Sequence, residues 1–315
     1  MMKPDWKLKQ TEPLFARIRA VPGVRISKHL IIVELIFLVY ILSTLLSEQT
    51  FASFLAIGAY LAGKSLKADT DVLLLMQLFL TVICIILTFL CCRFIENRPA
   101  GTMLLTRKKL LRDYLGGALL GMAMMTCVVL AAWKFGALQF EGLQPGRRPV
   151  MMILLFIGWI IQGFSEELTF RGFLMTSAGT HHSVWAAVLI SAVNFAAMHF
   201  FNDGFSVFAA CNLILFGILT ALWVLRTGSL WGAAAMHSIW NWAQGNFFGM
   251  QVSGIVTDST VLRFSQTGSA NWIGGSTFGL EAGAATTVVL LLGTLILLCL
   301  PGRDTAEAAA ADTER

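Results

Sequence analysis

The chain has 315 residues, 57% of them hydrophobic and 13% charged, with a formal net charge of +5 and a mean hydropathy of +0.73. Soluble domains carry about 25% charged residues, so this chain lacks the polar side chains needed to cover a water-facing globule. It reads as an integral membrane protein.

Residues 1–29 are polar and basic and contain no cleavable signal peptide pattern; they are read as a cytoplasmic basic segment. Spans of about 20 apolar residues, the length that crosses a bilayer, then follow at 30–47, 73–92, 114–133, 150–176, 183–201, 205–225, 229–248 and 282–300. The expected fold is all-α, a polytopic transmembrane helical bundle of about eight helices. The apolar run 51–63 is short for a crossing and is read as an interfacial or re-entrant segment or as an extension of the first helix. Glu34, near the start of the first span, is expected to reach the interface or pair with Lys28. Gly117-x-x-x-Gly121 in the third span offers a smooth strip for close helix contact. All seven prolines lie outside the spans, as unbroken helices require. The six cysteines form no C-x-x-C pair and read as packing residues. Residues 30–149 are taken as an N-terminal group of helices, 150–301 as the functional core, and 302–315 as a disordered cytoplasmic tail.

Sixteen lysines and arginines lie in residues 1–29, 93–113, Arg226 and the tail, against six in loops 48–72, 134–149 and 249–281. The excess on one side places both termini in the cytoplasm. The basic residues have no aromatic interleaving or motif that would bind nucleic acid, so the expected surroundings are a lipid bilayer and no nucleic acid.

Within the core, ionisable residues fall in three patterns on apolar spans: Glu166-Glu167-x-x-x-Arg171, Phe195-x-x-x-His199 and His237-x-x-x-Asn241. A charge in hydrocarbon costs about 2.5–3.5 kcal/mol even on the lenient insertion scale, so such groups mark function by default. Glu166 and His199 lie at similar distances from the turn near 177–183, which puts them at one depth, and His237 and Asn241 approach the same level from the turn at 226–229. The expected site is a cavity below the cytoplasmic surface and inside the membrane. Residues four apart share a helix face, so Glu167 is expected to pair with Arg171, while Glu166, about 100° away, faces His199.

The three patterns, in this order and on hydrophobic helices, resemble those of the intramembrane proteases that include the type II CAAX-processing endopeptidases, also called CPBP or Abi proteins. Arg171-Gly172 continues the first motif as that family does, and the stretch 274–279 resembles the glycine-rich loop before its last helix. The resemblance implies an intramembrane endopeptidase acting on a peptide or membrane-anchored protein. It implies that Glu166 and His199 activate a water, that His237 and Asn241 stabilise the oxyanion, and that Phe195 packs around the site with Glu167 and Arg171 in support. A metal-free reaction is the favoured reading; zinc held by Glu166, His199 and His237 is the alternative. The short loops and basic N-terminus point to a prokaryotic inner membrane. Two other functions fit the residues: a non-catalytic scaffold or bacteriocin-immunity protein on the same fold, and a proton-coupled transporter, which would be expected to show inverted repeats or broken helices.

Overall fold

A computed structural model of the chain describes residues 12–61, 69–108, 110–144 and 148–299; the tail 302–315 lies outside them. A short helix α1 (Glu12–Arg19) precedes the long α2 (Leu30–Leu61). Helices α3 (Thr70–Leu80) and α4 (Val82–Leu90) run end to end into a π-helical turn, Cys91–Ile95. Next come α5 (Leu110–Lys134) and the strand β1 (Leu138–Leu143). α6 (Pro149–Glu167) continues without a gap through a π-helical segment, Leu168–Met175, into α7 (Thr176–Gly179). α8 (Val184–Ala197), α9 (Val207–Thr227) and α10 (Trp231–Trp242) follow, the last extended by a π-helical stretch, Ala243–Phe247. β2 (Leu262–Gln266), the single turn α11 (Asn271–Gly274) and α12 (Ala284–Cys299) complete the described chain.

Each of the eight expected spans contains one helical rod. Five are long and apolar enough to cross a membrane, and α8 and α12 are shorter apolar helices. Their outward faces carry Leu46, Leu119, Ile153, Leu292 and Ile296, all exposed, as lipid-facing surfaces require. The fold is an all-α polytopic bundle.

The centre of the bundle is α10, which packs on α5, α6 and α9 and buries every residue from Gly232 to Asn241. Glycines make this close approach feasible. A Cβ on Gly121 would lie 2.5 Å from the Met236 carbonyl, and one on Gly163 would lie 2.7 Å from the Ser238 backbone nitrogen. The glycine strip of the third span is therefore spent on α10, and it brings the backbone on either side of His237 against two neighbouring helices.

Of the readings offered for 51–63, extension of the first helix holds over the described residues, since 51–61 prolong α2. Other local expectations change. Residues 12–19 within the basic N-terminal segment form a helix whose Phe15 and Ile18 are buried in the core; apolar residues one turn apart gave α1 a face to bury. The second, fourth and seventh spans change from α to π geometry without any proline, and all eight residues of Leu168–Met175 are buried. Loops 135–144 and 249–270 are joined by the antiparallel pair β1–β2, with a bulge between Phe140 and Gly142. Glu34 accepts from the Asn194 amide on α8, 3.2 Å to each oxygen, a partner the sequence did not suggest.

Candidate active site

The segment after Gly163 begins the site. Glu166 and Glu167 are the last residues of α6 that keep α geometry, so they project about 100° apart. Glu167 is fully buried and takes the Arg171 guanidinium at 3.1 Å. Arg171 is itself fully buried, and its guanidinium lies 4.7 Å from the centre of the Phe195 ring. A buried pair of this kind compensates two charges that could not otherwise be held there, and the aromatic face covers the cation. Gly217 on α9 leaves room for the guanidinium, since a Cβ there would lie 3.1 Å from Arg171 Nη2.

His237 links the two glutamates. Its Nδ1 is 3.0 Å from Glu167 Oε1, and its Nε2 is 3.6 Å from Glu166 Oε2. A carboxylate can only accept, so Nδ1 donates to Glu167, which sets the orientation of the ring. Phe195 and Phe216 stand edge-on to the imidazole, at 5.7 and 5.1 Å between ring centres. Asn241, one turn on from His237, donates through Nδ2 to Gln162 Oε1 at 3.0 Å, and Gln162 Nε2 donates to Glu166 Oε1 at 2.6 Å. A continuous chain thus runs from Asn241 through Gln162 to Glu166, leaving Glu166 Oε2 without a hydrogen-bond partner.

His199 lies beyond the end of α8, in a turn where its backbone N–H bonds the Ala196 carbonyl. The expected fifth span reached 201, but the turn to Gly204, which has φ +75°, ends the helix sooner. The Nδ1 atom of His199 is 2.9 Å from the Phe195 carbonyl. A carbonyl cannot donate, so Nδ1 carries the hydrogen and the neutral ring keeps its lone pair on Nε2.

Glu166, His199, His237 and Asn241 all line one cavity of about 240 Å³, together with Phe195. Glu166 and His199 do not make the direct contact expected across the helical hairpin: the imidazole within 4 Å of Glu166 belongs to His237. The reason is the close seam between α6 and α10, which brings His237 in first. The cavity is also lined by Asn202, Ser253 and Glu281, which belong to loops at the end of the bundle away from the 180–183 turn. It therefore extends from the middle of the bundle towards the end opposite the one expected.

Zinc would need three of these donors around one point. Among the described residues, no three His, Cys, Asp or Glu side chains are so placed. The arrangement does not fit a zinc ion on Glu166, His199 and His237.

Residues 148–243 match the family model of the type II CAAX prenyl endopeptidase Rce1-like proteins. Over that segment the chain is similar to the Rce1-like family. No curated protein matches the chain. The Rce1-like segment holds all seven residues of the three sequence patterns and spans α6 to α10, which line the cavity together with residues of α2, α3, α4, α12 and the loops near Ser253 and Glu281. The likeness is to an endopeptidase family, over this segment. Gln162, Glu281 and Ser253 were not singled out by sequence. Gln162 could have been, because it stands one helical turn before Glu166 on the same face; Glu281 and Ser253 carry no local signal.

Proposed function

We propose that this protein is an intramembrane endopeptidase in which Glu166 activates the attacking water. What carries the reading is the division between the two glutamates. Glu167 is fully buried, with Oε1 shared by Arg171 and His237, whereas Glu166 is one-quarter exposed and lines a cavity that His199, His237 and Asn241 also line.

A water held between Glu166 Oε2 and the His199 Nε2 lone pair gives a proton to Glu166 as its oxygen bonds the peptide carbonyl carbon. The carbonyl electrons move to oxygen. The second amide hydrogen of Asn241, and Nε2–H of His237 in its doubly protonated form, stabilise that oxyanion, at roughly 2.7–4 kcal/mol for a well-placed donor. The C–N bond then breaks and Glu166 returns the proton to the leaving nitrogen. No step of this scheme passes through a metal. The distribution of lysine and arginine supports residues 1–29 on the cytoplasmic face, and the short loops support a prokaryotic plasma membrane.

The test compares new protein termini in membranes of cells expressing wild type or Glu166→Ala at matched levels. Cleavages present only with wild type are expected, and they name the substrate. Identical termini, with both proteins folded and inserted, would count against a protease and favour a scaffold on the same fold.

A further inference from the structure

We infer that Glu281 is a positioning residue for His199, acting through Ser253 and Asn202. Glu281 and Ser253 lie outside the Rce1-like segment. The inference rests on His199 belonging to the working site, but its test does not depend on cleavage.

His199 is the one member of the site that no regular helix holds. Its ring is fixed at one nitrogen by the Phe195 carbonyl, so its direction depends on the backbone of the turn that follows α8. Within that turn the Asn202 N–H bonds the His199 carbonyl at 3.0 Å, and Asn202 Nδ2 donates to the Ser253 carbonyl at 3.0 Å. Asn202 thus ties the histidine turn to a second loop.

That second loop is strained at the point of contact. Ser253 has φ +48°, a left-handed conformation that a residue with a Cβ adopts only when its surroundings enforce it. Glu281 does so: Ser253 N–H and Oγ–H both donate to Glu281 Oε2, at 2.6 and 2.8 Å. The next residue, Gly254, packs so closely on the histidine turn that a Cβ there would lie 2.6 Å from the Asp203 carbonyl.

Glu281 is in turn anchored. Asn212 on α9 donates to the Glu281 and Gly283 carbonyls at 2.8 and 3.0 Å, and Thr287 on α12 donates to Asn212 Oδ1 at 2.7 Å. The carboxyl is 7% exposed and borders the cavity. Burial pushes its pKa above the ordinary carboxylate range, an effect partly offset by the Ser253 hydrogen bonds and by the charges of His199 and His237. Holding a carboxyl in a buried place is costly, and among the described residues no lysine or arginine forms an ion pair with it. Its retention at the cavity wall suits a group that holds the neighbouring loop in place. A structural glutamate would serve the loop alone, whereas this one connects through two hydrogen-bonded residues to the histidine.

The experiment reads the His199 ring by nitrogen NMR of full-length protein labelled in histidine and held in detergent micelles, under mildly alkaline conditions. His199→Gln assigns the resonance. Wild type is expected to show His199 with its hydrogen on Nδ1. Glu281→Ala and Asn202→Ala are expected to lose that signature while the His237 signal stays unchanged, and Glu281→Gln, which keeps an oxygen acceptor for Ser253, is expected to retain it. An unchanged His199 signal in the two alanine variants overturns the inference. Equal loss at His237 also overturns it, because that is general loosening. If Glu281→Ala does not accumulate in membranes, Asn202→Ala decides alone. Cleavage assays are separate: a failure of Glu166 to matter leaves these ring signatures readable.

Discussion

At the scale of single residues, two adjacent carboxylates have different work because a helix turns about 100° between them. Glu167 is closed off by Arg171 and His237, and Glu166 is one-quarter exposed to the cavity. Glu167→Ala would leave the Arg171 guanidinium fully buried without its counter-charge. Breaking a buried pair from one side costs about 3–5 kcal/mol, so the variant is expected to unfold at a markedly lower temperature in detergent. Replacing both partners by methionine should recover much of that loss, since neither charge is then stranded. A single variant as stable as wild type would show that the pair is not closed from solvent. The pairing of Glu167 with Arg171 was legible from their spacing of four. The insertion of His237 between the two glutamates was not, because residues seventy apart in sequence meet only when α10 docks.

At the scale of elements, the site depends on how near α10 can come to α5 and α6. Gly121 and Gly163 touch its backbone on either side of His237, and a side chain at either position would push the histidine away from Glu166 and Glu167. Gly163→Val is expected to cost about 1–3 kcal/mol through overpacking and to abolish any Glu166-dependent cleavage even where folded protein is recovered. Wild-type cleavage in that variant would mean the seam is not needed to place His237. Helix positions were readable because apolar length is written locally. Changes of helical register were not: one π segment begins inside the first motif, after Glu167, and another just beyond the third, after Trp242, with no proline to mark them.

At the scale of the whole molecule, the cavity is closed by loops that stand at the end of the bundle away from the 180–183 turn. On the orientation proposed from the lysine and arginine distribution, that end is expected to face out of the cytoplasm. Exposed positions Ser183 and Ser269 lie at the two ends. With a membrane-impermeant thiol reagent on intact cells, Ser269→Cys is expected to be labelled and Ser183→Cys to be protected until the membrane is opened, in a background lacking the native cysteines. The reverse pattern would invert the orientation and put the cavity-closing loops in the cytoplasm.

The amino-acid sequence by itself determined the membrane class, the eight helical rods and the segment that carries the three motifs, because hydropathy and helical spacing are properties of neighbouring residues. The tertiary structure decided which histidine stands beside Glu166, where α8 stops, and which loops close the cavity. Those depend on glycine-mediated helix contacts, on a left-handed serine and on carboxyl groups satisfied by residues far away in the chain. None of these leaves a local pattern, since each arises only when separate segments compete for the same buried space.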